Sequence, residues 1–256
     1  MMEYIYLESV GSTNDYSRSL LSEGRQDSGI VVVCSEAQTK GRGQRGNSWE
    51  SERGKNLTFS VVCHPVSLEA SEQFVLSQSM ALSILDTLIE VHLEQASIGK
   101  KRNGVFSVKW PNDIYYGDRK ICGTLIECDL CGKMVSNCII GSGLNVNQSE
   151  FFSDAPNPVS LYQIYNEEFD LKTLLKEICE RFEHYLHKID AGDFQYIRDR
   201  YIQHLYRHDG LFPYRDKNGL FLAKIKGIEN SGRLVLETAE GDERRYEFKE
   251  VSFVIR

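Results

Sequence analysis

The chain has 256 residues, 41% of them hydrophobic and 26% charged, enough apolar material for one sizeable core at an ordinary surface charge. A net charge of −7 weighs against bulk duplex binding, which needs broad positive surface to displace counterions. No apolar run reaches the ~20 residues that cross a bilayer, and "MMEYIYLESVGSTND" lacks the basic start and apolar centre of a signal peptide, so a cytoplasmic protein without membrane contact is expected.

After a short apolar start, "STNDYSRSLLSEG" predicts a short helix, with Ser12 or Thr13 as N-cap, Tyr16 and Leu20 one turn apart, and Gly24 as the stop. The β-branched run "GIVVVCSEAQ" predicts a buried strand. It feeds the stretch from Thr39 to Leu57, where Lys40, Arg42, Arg45, Arg53 and Lys55 gather among four glycines. A local basic cluster in an acidic chain suits a small anion, because glycine lets backbone N–H groups turn inward and guanidinium forks grip carboxylate or phosphate at two points. The loop matches neither the phosphate-loop nor the dinucleotide fingerprint. Its plain alternative is a solvated surface loop. Trp49 tilts the reading towards a ligand, since an indole can stack on a purine.

"LTFSVVC", Leu57 to Cys63, predicts the next strand, and Ser71 to Glu94 a long core helix with Leu76, Met80, Ile84, Leu88 and Val91 on one stripe. "FSVKW", "DIYYG", "KICGTLIECDL" and "KMVSNCIIGSGLNV" follow as sheet strands, with turns at Gly117-Asp118 and Cys131-Gly132. Within "VKWPND", Lys109 sits among Phe106, Val108 and Trp110, and burying it requires an anionic partner; an edge strand whose lysine reaches water is the alternative. Pro111 ends the pairing there. "GSGLNVN", Gly141 to Asn147, reads either as a tight turn or as a ligand contact, with the Asn145 amide suited to an adenine edge. "STN", Ser12 to Asn14, is accounted for by helix capping.

"CDLC", Cys128 to Cys131, with Cys122 and Cys138 nearby, raises a zinc site, but the irregular outer spacings favour a hairpin. Seven cysteines, an odd number scattered through predicted elements, read as reduced thiols. A second helix is predicted over Leu171 to Ile189, with Leu171, Leu174, Leu175, Ile178, Phe182, Tyr185 and Ile189 at helical spacing. Past Leu205 the pattern becomes short strands ("LFPYR", "GLFLAKIKGIEN", "RLVLETAE", "RRYEFKEVSFVI") between turn signals, so a boundary near Tyr206 and a small all-β unit are expected.

Taken together and in this order, "STN", "SEAQTKGRGQRGNSW", "VKWPNDIYYGDRKICGTLIE" and "IIGSGLNVN" resemble the biotin protein ligases, which attach biotin to carboxylase subunits. The resemblance implies an α+β fold: a mixed sheet flanked by helices, related to class II aminoacyl-tRNA synthetases, over residues 1–205, and an SH3-like β barrel over residues 206–256. It implies ATP, Mg²⁺ and biotin as reactants, with the metal ligands unspecified, and a biotin carboxyl carrier domain as acceptor. Biotin would be held by Ser12, Thr13, Asn14, Gln38, Gly41, Arg42, Gly43, Gln44, Lys109 and Gly123. ATP would be held by Arg45, Trp49, Asn112 and Asn145, with Lys109 and Arg42 acting in catalysis.

Biotin's carboxylate would attack the α-phosphate of ATP to give biotinyl-AMP and pyrophosphate, Lys109 bridging the two anions, and an acceptor lysine would then displace AMP. The glycine-rich loop would shield the adenylate from water. Gln44 and Asn47 stand where the family loop commonly has arginines, which shifts the phosphate contacts to Arg45 and backbone amides. No winged-helix segment precedes the predicted catalytic unit, so no DNA contact is expected, and a homodimer is left open. The rival readings are a lipoate or octanoate ligase, whose linear substrate needs a mainly apolar tunnel, and a nucleic-acid-binding module, weakened by the mixed charges of "EGDERRYEFKE".

Overall fold

The computed structural model describes residues 2–24, 29–43, 48–153 and 157–255. Seven strands, β1 (Met2–Leu7), β2 (Ile30–Ser35), β3 (Leu57–Cys63), β4 (Phe106–Lys109), β5 (Asp113–Tyr116), β6 (Arg119–Cys131) and β7 (Met134–Leu144), form one sheet in the order β1-β2-β3-β7-β6-β5-β4. β1 and β2 run parallel and the other neighbours antiparallel, which makes the sheet mixed, as expected.

β3 is buried at every position, so its sequence is nearly continuously apolar instead of alternating. Helices cover both faces: Val31, Val33, Val62 and Ile139 pack with Leu20 of α1 (Thr13–Ser22), while Val32, Phe59 and Val61 pack with the stripe of α2 (Phe74–Ser97). α2 is buried almost all round, and the hydroxyls of Ser79, Ser83 and Thr87 donate to carbonyls four residues back, which satisfies them without water. With its preceding 3-10 turn, this segment (Ala70–Ser97) is long and apolar enough to match a membrane span, at a mean hydropathy of 1.4; that corrects the sequence expectation. Its apolar window is 78% buried inside the protein, and the helix is the core of this fold.

α4 (Leu171–Asp190) and α5 (Phe194–Gln203) pack on α2. α5 and the short α3 (Leu161–Tyr165) were not anticipated. Both left signals: Ser160 and Gln163 make a reciprocal capping box at α3, and Ile197 and Tyr201 of α5 are buried one turn apart. "CDLC" enters the β6/β7 hairpin turn, as favoured, with Gly132 at φ 62°. "GSGL" lies inside β7, which removes the turn reading of that stretch.

A second, five-stranded antiparallel sheet holds β8 (Phe212–Asp216), β9 (Gly219–Ile228), β10 (Leu234–Thr238), β11 (Glu243–Tyr246) and β12 (Ser252–Phe253) in the order β11-β10-β9-β8-β12. The stretch expected as one last strand is thus two, separated by a turn in which Lys249 takes φ 74°. The connecting chain runs along β4, Val108 N donating to His204 O and Tyr206 N to Val108 O, each at 2.8 Å. Trp110 joins the sheets: its Nε1 donates to Gly232 O at 2.8 Å and its ring packs edgewise on Phe248, 6.0 Å between centroids.

Candidate active site

A cleft of ≈ 850 Å³ lies where the N-terminus of α1, the loop after β2, strands β4 to β7 and the Phe248–Lys249 turn converge. Of the residues expected at a site, Ser12, Thr13, Asn14, Gln38, Arg42, Gly43, Trp49, Lys109, Gly123 and Asn145 line it.

Its polar end starts from the α1 terminus. Ser12 is the N-cap residue, yet its side chain makes no capping bond, so the sequence account of "STN" as a cap covers the backbone only. Val10 bridges to Gln38 and brings the Gln38 amide beside the helix start, where its Oε1 accepts from Thr13 N at 2.8 Å and Thr13 Oγ1 at 3.2 Å. The Ser60 hydroxyl, buried on β3, lies 2.7 Å from Thr13 Oγ1 and 2.6 Å from Asn14 Oδ1. Asn14 Nδ2 donates to Glu127 Oε2 at 2.8 Å. A polar cluster held this way is pre-oriented, which lowers the entropy lost on binding a small polar ring.

The floor is built from β7 at alternate positions. Gly141 leaves room for Asn14, since a Cβ there would stand 2.0 Å from Asn14 Oδ1; at Gly143 it would stand 2.3 Å from the Trp49 indole. Asn145 continues the alternation, so the floor runs ~13 Å from the Asn14 end to Asn145 at ~3.3 Å per residue. On β6, a Cβ at Gly123 would stand 3.1 Å from both the Trp49 ring and the Lys120 side chain. At the other end of the floor Trp49 Nε1 and Asn145 Oδ1 are both buried without a partner among the described residues. An unspent donor and an unspent acceptor in one cleft lining suit a ligand with polar groups.

Lys109 Nζ stands over the rings of Tyr115 and Phe253, 5.2 Å from each centroid. Burial pushes its pKa below the ordinary lysine value; Asp113 pulls it back, while Lys120 and Arg207 push it down further. A second lysine, Lys120, also lines the cleft, over the Trp49 ring at 5.8 Å. Arg42 is tied to acids at the polar end, with Nη2 2.6 Å from Asp15 Oδ1 and 3.5 Å from Glu127 Oε2.

Gly41 lies outside the lining; its carbonyl accepts from Trp49 N at 3.1 Å and closes the neck of the loop. Asn112 is buried away from the cleft. Gln44 and Arg45, with Asn47, fall outside the described residues. Among the described residues no group of three His, Cys, Asp or Glu side chains could hold a metal ion.

Sequence reasoning did not assign Lys120, Glu127, Gly141, Gly143, Phe248 or Lys249, although the first two lie inside "DRKICGTLIE" and the glycines inside "GSGLN". Phe248 and Lys249 carried no signal, because only the packing of the second sheet brings them to the cleft.

Residues 6–145 match the model of the family described as "Biotin/lipoate A/B protein ligase family". The chain is 29% identical over 245 residues, 94% of its length and 71% of the relative's, to the bifunctional ligase/repressor BirA of Bacillus spizizenii. It is 26% identical over 224 residues, covering 84% of this chain and 87% of the relative, to the biotin--[acetyl-CoA-carboxylase] ligase of Paracoccus denitrificans. Among solved structures, the biotin protein ligase from Aquifex aeolicus in complex with biotin and ATP superposes with a TM-score of 0.76 at 27% identity, covering 98% of this chain and 97% of that one.

Proposed function

The chain belongs to the biotin/lipoate A/B protein ligase family, and from that premise we propose that it is an ATP-dependent biotin protein ligase: it activates biotin as biotinyl-AMP and transfers the biotinyl group to a lysine of a carboxylase carrier domain. The similar proteins named above are biotin ligases, and one is solved with biotin and ATP. Lipoate is disfavoured by the polar end, because a linear dithiolane chain offers no hydrogen bonds to the hydroxyls and amides that line it.

The observation that carries the reading is the order of groups along the floor. Thr13, Asn14 and Gln38 offer donors and acceptors to a ureido ring at one end. Trp49 and Asn145 offer a stacking face and an unpaired amide oxygen to adenine at the other, the Asn145 Nδ2 being spent on Val159 O at 3.1 Å. Lys109 and Lys120 hold their ammonium groups within the same cleft, where a carboxylate and an α-phosphate must approach each other. Two anions repel as they close; a cation in a site partly shut off from water offsets this more than it could in bulk solvent. The carboxylate oxygen then displaces pyrophosphate, and the resulting mixed anhydride is open to attack by an acceptor amine. Arg42 is proposed to contact biotin from the polar end, and Arg45 to contact the phosphates. Mg²⁺ would enter with the triphosphate, and the described residues supply no cage of their own for it.

The second sheet is read as the SH3-like barrel of the family, with the division at 205/206, and the protein as cytoplasmic. Support for the division comes from the element order, all strands of the second sheet lying beyond residue 206.

Calorimetry with biotin and with lipoate, followed by pyrophosphate release on adding ATP, tests the function. Biotin should bind and trigger release. Binding of lipoate alone would reject the proposal.

A further inference from the structure

Three of the seven cysteines lie side by side across adjacent strands: the register sets Cys63 opposite Cys138 between β3 and β7, and Cys138 opposite Cys128 between β7 and β6. Directly opposite residues of an antiparallel pair have Cα atoms about 4.5–5.5 Å apart, inside the ~4.4–6.8 Å that a disulfide spans. The Cys128 and Cys138 sulfurs are 2.8 Å apart, and both are free thiols. Cys63 and Cys138 are fully buried, whereas Cys128 is half-buried, so an oxidant meets Cys128 first with Cys138 already in contact behind it. The hydrogen bond with Cys138 holds the Cys128 thiol below its ordinary value, and burial pushes Cys138 well above.

The neighbour of Cys128 faces the other way. Successive side chains on a strand alternate, so Cys128 packs with the α2 core while Glu127 points to the polar end of the cleft, where its carboxylate holds Asn14 at 2.8 Å and approaches Arg42 at 3.5 Å. Drawing β6 and β7 together at one position moves the carboxylate at the next.

We propose that Cys128 and Cys138 are a reversible dithiol–disulfide site behind the cleft, and that oxidising them weakens biotin binding through Glu127 and Asn14. The oxidant is hydrogen peroxide. Cys128 sulfur attacks the peroxide, forming an S–O bond as O–O breaks, and one water leaves. Cys138 sulfur then displaces the hydroxyl from Cys128, S–S forming as S–O breaks; the Cys138 proton leaves in the second water. The two electrons given up by the sulfurs have reduced one peroxide to two waters, and two equivalents of a small thiol reverse the change.

Cys131 is exposed at the end of the same strand, so the test uses full-length Cys131→Ser protein. After hydrogen peroxide, alkylation of remaining thiols and digestion, the expected species is a crosslinked Cys128–Cys138 peptide, lighter by two hydrogens and lost on adding dithiothreitol. Calorimetry on the same sample should show the Kd for biotin raised about 5-fold or more, in the range of ordinary site coupling. Cys128→Ser in that background should hold its Kd through peroxide; the peptide map needs no such variant. A stable sulfinic acid at Cys128, a crosslink to Cys63 instead, or the disulfide formed with unchanged Kd overturns the proposal. The affinity arm rests on the biotin reading: reduced protein that binds no biotin refutes that reading, and the peptide map still judges the cysteine pair.

Discussion

Lys120 Nζ lies 2.7 Å from Asp113 Oδ2, and Asp113 is the residue that the β4/β5 register places across from Lys109. The carboxylate offered to Lys109 is therefore engaged by a second lysine. Lys109 rests on two aromatic faces, which attract a cation without neutralising it. A charge left in this state gains more from an arriving anion than one already paired.

Lys109→Met tests that gain. It keeps an unbranched apolar stem, one atom shorter, and removes the ammonium with its charge and donors. Adenylate formation, read as pyrophosphate release, should fall ~10²–10³-fold, the usual loss for one anion-stabilising donor. The melting temperature should hold or rise, because a half-buried unpaired charge is a burden to the fold. Wild-type turnover in this variant would refute the role given to Lys109.

The depressed pKa also fixes a pH dependence, and the two signs differ. Between the folded pKa and the unfolded value of ~10.4 the unfolded chain binds more protons at this site, so its contribution to stability rises with pH across that window; below it the burden of the buried charge is fully present. Activity runs the other way, since the ammonium is lost as pH climbs through the same window. Bound anions favour the charged form and raise the pKa, so the alkaline limb of kcat/KM should lie at lower pH than the limb of kcat. Coincident limbs at the ordinary lysine value would contradict this arrangement.

Gly141→Ala and Gly143→Ala should separate the two ends of the floor. A Cβ at 141 presses on Asn14, which Ser60 and Glu127 hold in place, and a Cβ at 143 presses on the half-buried Trp49 ring. Overpacking of this kind costs ~1–3 kcal/mol, or about 5–150-fold in affinity if it falls on one ligand. The first change should raise the KM for biotin and the second the KM for ATP. Equal effects on both substrates would mean that the floor is not divided as described.

How much of this was open to sequence reading depended on the range of the interaction. The stripe of α2 and the apolar run of β3 are statements about neighbours along the chain, and periodicity carried them. α3 and α5 are too short for periodicity to stand out, and their stability comes from packing on elements remote in sequence. Asn14 above Gly141 and Trp49 above Gly143 depend on the register of β7 against loops formed much earlier in the chain, so the glycines looked like turn residues. Lys120 was only the first residue of a predicted strand until β5 and β6 paired and set it beside Asp113. Phe248 and Lys249 needed a second sheet to reach the cleft.

The Trp110 link between the sheets gives a last prediction. Its position in "KWPND", next to Lys109, invites a ligand role, yet its ring is buried against Phe248 and its N–H is spent on Gly232 O. Trp110→Phe keeps an aromatic ring and leaves that carbonyl unpaired, which should lower the unfolding free energy by ~1–3 kcal/mol in denaturant titration. Phe248 and Lys249 form part of the cleft wall, so on the proposed arrangement, with biotin at the Asn14 end, loosening their support should raise the KM for ATP more than that for biotin. A loss of biotin binding at unchanged stability would instead make Trp110 a ligand contact and remove the structural account of this residue.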